Sequence, residues 1–160
     1  MLRKAFSIAV LTGAALLAQA PRVGRPASED RIKAIDITVF PDGRGLPAGQ
    51  GTAAKGKDIY KEKCAVCHND KAEGRPGQYP ALVGGAGTIN TTKPAKTVGS
   101  YWPYAPTVFD YVRRAMPYDQ PGTLQPDEIY SLVGFILNAN GIVGENDEMN
   151  QTTLPKVKMP

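Results

Sequence analysis

The chain has 160 residues, 42% hydrophobic and 21% charged, with a formal net charge of +4. These values suit a globular protein of one modest domain plus extensions, and the charge lacks the basic stripe of a nucleic-acid binder. The 17 glycines and 14 prolines predict few regular elements and long ordered loops. A small core wrapped in loops needs a further organiser, such as a bound cofactor.

Residues 1–20, MLRKAFSIAVLTGAALLAQA, read as an export signal. Arg3 and Lys4 precede an apolar run, and Ala18-Gln19-Ala20 fits a small-x-small cleavage rule. Pro21 fits poorly just after that cut, which leaves another cleavage point or a retained anchor open. The apolar run is shorter than the roughly 20 residues that span a bilayer. Removing the segment takes the net charge from +4 to +2, because it carries Arg3 and Lys4 and no acid.

Residues 21–51 are expected to form an extended arm lying over the domain. Within it, 35–40 (IDITVF) alternates like a strand, and PDGRGLPAGQG reads as turns. A helix is predicted from Thr52, its N-cap, through Cys64, with Gly56, Ile59, Tyr60 and Lys63 on one side. A glycine inside a helix costs about 1 kcal/mol against alanine, so Gly56 implies close approach of another backbone. Residues 69–100 show little periodicity. A short helix is predicted over 106–115, with Pro106 at its first position and Val108, Val112 and Ala115 as an apolar stripe. It ends before Met116-Pro117, as the residue before a proline should. The clearest helix runs over 126–139. Asp127 and Glu128 suit its N-terminal dipole, Ile129, Leu132, Val133, Ile136 and Leu137 mark its buried face, and Asn140-Gly141 is its stop. Residues 143–160 read as a polar, extended tail.

Both cysteines and the only histidine fall within KCAVCH, residues 63–68. A structural zinc site needs four ligands, usually as two spaced pairs, and no second pair exists. A thiol–disulfide switch needs its CxxC at a helix N-terminus, where the dipole lowers the thiol pKa; here the motif follows a helix. A structural disulfide between Cys64 and Cys67 would close a tiny, strained loop. Cys-x-x-Cys-His is the attachment pattern of c-type haem. Cysteines at i and i+3 lie on one side of a helical turn, and His68 is carried under the iron. No histidine remains for the far side. Of four methionines, Met1 lies in the signal and Met149 and Met159 in the tail. Met116 is left, between a helix and a proline. Methionine opposite histidine fills the sixth iron position and raises the potential, which favours electron transfer over catalysis or gas binding.

With these features, residues 52 to about 142 resemble the class I c-type cytochromes. The resemblance implies a small all-α domain in which the first and last helices cross around one covalent haem c. Gly56, Tyr60, Leu132 and Phe135 would be the crossing contacts. In PALVG, the Pro80 carbonyl would accept the Nδ1–H of His68, and Leu82 would pack on the haem; Pro80 as a mere turn residue is the plainer alternative. Trp102, Tyr104, Arg113 and Arg114 carry donors that two haem propionates would need, against the plainer reading of core aromatics and solvated arginines.

A narrower resemblance lies in FPDGRGLPAGQGTA, TVGSYWPYAPTVFDYVRRAMP and TLPKVKMP. These are similar to cytochrome subunits of periplasmic molybdenum enzymes of sulfur oxidation, the sulfite dehydrogenases and sulfane dehydrogenase. The single CxxCH sits closer to the monohaem sulfite dehydrogenase partner. The resemblance implies a periplasmic carrier of single electrons, not itself an enzyme. Its donor would be that dehydrogenase and its acceptor an oxidase or another cytochrome, with membrane attachment only if the signal stays. The rival readings are a haem enzyme or gas binder with a labile sixth ligand, and a carrier for a different dehydrogenase.

Overall fold

The structure is a computed structural model that describes residues 24–160. The expected export signal lies outside the described residues. The chain divides after Asp36 into two compact units. In the first, helix α1 spans Glu29–Ile35, capped where the Ser28 hydroxyl accepts the Arg31 N–H at 3.3 Å. Glu29 and Asp30 occupy its first turn and Lys33 its last, each at the favourable end of the dipole. None of its residues is buried.

The strand expected over 35–40 is not there. Ile35 closes α1, and 36–40 has no regular structure. An alternating run becomes a strand only where another edge takes its backbone groups, and these groups find other partners. The Val39 N–H donates to Asp110 Oδ1 at 2.9 Å, and the Phe40 N–H to the Arg44 carbonyl at 2.9 Å. The Arg44 guanidinium also lies 4.4 Å from the centre of the Phe40 ring.

The second unit, Ile37–Pro160, is all-α apart from one minimal β pair. In chain order it holds β1 (Gln50–Gly51), α2 (Ala53–Lys63), α3 (Ala65–His68), α4 (Ala105–Ala115), α5 (Pro126–Ala139), β2 (Met149–Asn150) and a 3-10 turn at Leu154–Lys156. Helix α2 starts where expected, with Thr52 Oγ1 accepting the Lys55 N–H at 3.4 Å. Helix α4 begins at Ala105, one residue before its expected start. Phe109, fully buried, carries its inner face with Val108 and Val112, while Ala115 is only half-buried. Helix α5 is the core element, with Ile129, Leu132, Val133, Ile136 and Leu137 buried as expected and Tyr130, Ser131 and Gly134 buried besides. It ends at Asn140-Gly141. Gly141, at φ 70°, lets its own N–H reach the Asn138 carbonyl and the Ile142 N–H the Leu137 carbonyl.

Helices α2 and α5 share the largest interface of the unit. A Cβ on Gly56 would overlap the Ser131 carbonyl and come within 2.9 Å of Phe135 Cβ. One turn on, the Tyr60 and Phe135 rings lie 4.7 Å apart. On the opposite side of α5, Phe109 meets Tyr130 at 4.6 Å.

The segments on either side of these helices enter the core. Val39, Leu46, Met149 and Leu154 are buried with the helical residues. The tail is therefore not simply extended. β2 pairs antiparallel with β1, Gly51 opposite Met149, and Gln151 Nε2 donates to the Leu46 carbonyl at 2.9 Å. Tyr130 Oη donates to the Pro47 carbonyl at 2.9 Å, so residues 37–51 are fastened to α5 as well. Among the described residues no helix is long and apolar enough to cross a membrane.

The contact at Gly56 yields a stability prediction. Gly56→Ala, although it improves helix propensity, will lower unfolding free energy by about 2 kcal/mol, the usual cost of forcing an extra methyl into a packed contact. Denaturant titration of the purified protein measures this; an unchanged or raised midpoint would mean the two backbones do not need this approach.

Candidate haem-binding site

Helix α2 stops at Cys64, whose backbone (φ −123°, ψ −35°) leaves the helical region. A single turn, α3, follows. Its N–H groups close back onto the Cys64 carbonyl, from Cys67 at 3.1 Å and from His68 at 2.9 Å. Cys64 and Cys67 are both half-buried free thiols, His68 is buried, and Val66 between them is 69% exposed. The turn thus sets two sulfurs at the protein boundary and one imidazole inside it.

Burial pushes the Cys64 thiol up to about 11, against the opposing pull of the Lys63 ammonium. An activated thiol is shifted the other way, so Cys64 is not poised as a redox nucleophile. Among the described residues no group of three or more His, Cys, Asp or Glu side chains is placed to hold a metal ion.

His68 Nδ1 lies 2.9 Å from the Pro80 carbonyl oxygen. A carbonyl can only accept, so Nδ1 carries the hydrogen, and in the neutral ring the lone pair is then on Nε2. Such a bond fixes the ring and makes it a stronger ligand. The donor set therefore fits a covalently held haem: two sulfurs three residues apart, and a buried imidazole whose Nε2 would be the nitrogen to ligate.

The segment after the motif is shaped by side chains the sequence reading passed over. Asn69 adopts φ 61°, ψ 166°, a conformation that costs a non-glycine residue roughly 1–3 kcal/mol. Its groups are fully used. Its carbonyl accepts from Tyr60 Oη at 2.8 Å, Nδ2 donates to the Gly74 carbonyl at 2.8 Å, and Oδ1 accepts from Arg75 Nε at 3.1 Å. Arg75 Nη2 in turn donates to the Val66 carbonyl at 3.0 Å, inside the CxxCH turn. The signal for Asn69 was its place directly after the histidine, in a stretch ending at Gly74.

The other expected site residues divide. Leu82 and Met116 are half-buried and pack on the core, as does Trp102, which meets the Tyr111 ring edge-on at 5.6 Å. Met116 ends α4 in an extended conformation, which carries its side chain off the helix. Tyr104 is 50% exposed and stands at the N-cap position before α4. Arg113 and Arg114 turn to the segment at 37–39: Arg113 Nη1 donates to the Ile37 carbonyl at 3.2 Å, and Arg114 binds Asp110 at 2.9 Å and Thr38 Oγ1 at 3.2 Å.

Residues 53–140 match the cytochrome c family. This chain is a cytochrome c. One chain of the crystal structure of the sulfane dehydrogenase SoxCD from Paracoccus pantotrophus is 40% identical to the cytochrome, over 88% of its length and 69% of that chain, with a TM-score of 0.79. A chain of the thiosulfate dehydrogenase TsdBA from Marichromatium purpuratum, in its as-isolated form, is 23% identical over 52% of the cytochrome and 17% of that chain; its TM-score of 0.39 is too low to carry an argument. Family membership makes the cytochrome an electron-transfer haem protein, and Cys64, Cys67 and His68 stand in its CxxCH motif.

The residue before the motif braces it. Lys63 Nζ lies 2.8 Å from Glu128 Oε1, both side chains about one-third exposed, and Glu128 Oε2 accepts the Gln125 N–H that opens α5. The bond to Lys63, then that from Gln125, holds the Glu128 carboxyl below its ordinary value; the bond to Glu128 raises Lys63. A lowered carboxyl stabilises the fold above the ordinary glutamate value of about 4.3, and this is lost as pH falls through the folded value. The raised ammonium stabilises below about 10.4 and is lost as pH climbs through its folded value. Lys63→Met will therefore cost about 0.5 kcal/mol at pH 7 and low salt, the range of a screened pair, and less at pH 3. Denaturant midpoints at the two pH values measure it. An equal deficit at pH 3 would assign the loss to packing of the lysine stem instead.

Proposed function

We propose that this cytochrome is an exported, periplasmic monohaem carrier that takes single electrons from a sulfur-compound dehydrogenase and delivers them to an oxidase or another cytochrome. The observation that carries the donor class is the 40% identity to a SoxCD chain over 88% of this chain. Bound haem c supplies a one-electron iron couple. The chain's residues set how that couple behaves. Cys64 and Cys67 would tether the ring, and His68 would ligate through Nε2 while Pro80 holds Nδ1. Met116 would be the second ligand, leaving no open position for a substrate. Leu82 would pack on the ring, and Trp102, Tyr104 and Arg113 would supply donors to the propionates.

Two observations point to different donors within that class, one acting on sulfite and one on a sulfane sulfur. The single CxxCH of the chain favours a one-haem sulfite dehydrogenase partner, and the SoxCD likeness favours the sulfane type. Two molybdenum dehydrogenases, one of each kind, are therefore the donors to try. With its own substrate, one will reduce the oxidised cytochrome rapidly, read from the growth of the reduced α-band. Reduction by neither, alongside reduction by an unrelated dehydrogenase, overturns the donor and leaves the carrier.

The ligand assignment has its own test. The oxidised protein will show the weak long-wavelength band of a sulfur-ligated ferric haem, and Met116→Ala will lose it. A variant that keeps the band would move the ligand to another methionine.

A further inference from the structure

Asn140 has so far appeared only as the residue that stops α5. Its side chain does more. Nδ2 donates to the Leu82 carbonyl at 3.1 Å and to the Ile136 carbonyl at 2.9 Å, and Oδ1 accepts the Gly84 N–H at 3.0 Å. Two carbonyls face the amide nitrogen and one N–H faces the amide oxygen, so the opposite orientation would set oxygen against oxygen and is excluded. The side chain has little freedom to leave, because Gly99 lies so close that a Cβ there would overlap Asn140 Oδ1.

These bonds grip a short segment at both ends of Leu82-Val83-Gly84. Two further bonds hold the same stretch: Leu82 N–H to the Ala72 carbonyl at 2.8 Å, and Thr97 Oγ1 to the Gly84 carbonyl. Pro80, whose carbonyl meets His68 Nδ1, precedes Leu82 by two residues and is itself solvent-exposed. Pro80 is not held by burial of its own ring. Its carbonyl is aimed from both sides: Tyr79 exchanges two backbone bonds with Arg75, at 2.8 and 2.9 Å, and residues 82–84 are anchored as described.

We infer that Asn140 is a positioning residue for the iron-ligating histidine, acting through the peptide of 80–84 to hold the Pro80 carbonyl on His68 Nδ1. The inference rests on His68 as an iron ligand. A firm Nδ1–H···O=C bond raises the basicity of the ligating nitrogen and favours the oxidised iron. Loosening the segment weakens that bond and moves the haem potential upward. The end of the last helix thereby tunes the cofactor without touching it.

The experiment compares haem-loaded wild-type protein with Asn140→Leu, which keeps the branching and removes every polar contact of the side chain, and Asn140→Ala, which is free of any clash. Tyr130→Phe is the control, since it removes one hydrogen bond to α5, that to the Pro47 carbonyl, away from this segment. Midpoint potential and exchange of the His68 Nδ1 proton by NMR are measured with stability. Both Asn140 variants will show a higher potential and Nδ1 exchange faster by about fivefold, the factor that loss of roughly one hydrogen bond gives. Tyr130→Phe will lose stability with neither change. Three results overturn the assignment: lower stability of the Asn140 variants with potential and exchange unmoved, an equal potential shift in Tyr130→Phe, or failure of both Asn140 variants to retain haem. Wild-type protein whose haem lacks a histidine-ligated spectrum would instead remove the ligand reading beneath it.

Discussion

The site depends on how closely two helical backbones approach. Helix α2 can lie on α5 at Gly56 only because no Cβ stands between it and the Ser131 carbonyl. That approach sets Tyr60 against Phe135 and leaves the Tyr60 hydroxyl on the Asn69 carbonyl, directly after the CxxCH turn. The position of the turn relative to the core is thus fixed from one side by the helix crossing. It is fixed again by Lys63 on Glu128, which joins the last residue of α2 to the first turn of α5. An error of a few tenths of an ångström at Gly56 would be carried to both sulfurs and the imidazole, because α2 is stiff over its 11 residues.

Much of this was legible in the chain because the signals were local. Thr52, Pro106 and Asn140-Gly141 are punctuation that acts within a turn of its own position, and all three mark helix ends at or next to the observed ones. The periodicity of 126–139 identified the inner face of α5. It could not identify Tyr130 or Ser131 as buried, because the helix is enclosed on more than one side and a hydroxyl is acceptable there once bonded. The motif KCAVCH was legible for a different reason: three rare ligands in one turn leave few chemical uses.

What escaped the sequence reading was set by partners far away in the chain. The alternation at 35–40 was real, but no strand lay beside it. Asp110, 71 residues on, took the Val39 N–H instead. The charge of Arg113 and Arg114 does not say that they also hold the same segment, through the Ile37 carbonyl and Thr38 Oγ1. Asn69, Arg75 and Asn140 carry no periodicity, and their polar groups could have bonded to many things. Only the fold says which.

Residues 69–104 form a long stretch without a regular helix inside a compact unit, a pattern usual for functional loops. Apolar packing holds it at a few points, Ala72, Leu82, Val83, Val98 and Trp102, while most of 70–96 is exposed. The rest is held by side chains bonding to backbone: Asn69 to Gly74, Thr88 to Gly85, Thr97 to Gly84, Ser100 to Ala95, and Asn140 to Leu82. Each such bond contributes only about 1 kcal/mol net, but it fixes direction in a way that burial does not. The two parts of the unit therefore do different work. The helix crossing supplies stability and sets the position of the sulfurs and the imidazole. The loop supplies orientation, and it does so at Nδ1 of His68, 2.9 Å from the Pro80 carbonyl. With His68 as the proposed iron ligand, changes in the loop would adjust the electronic character of the haem while the core that carries its attachment remains as it is.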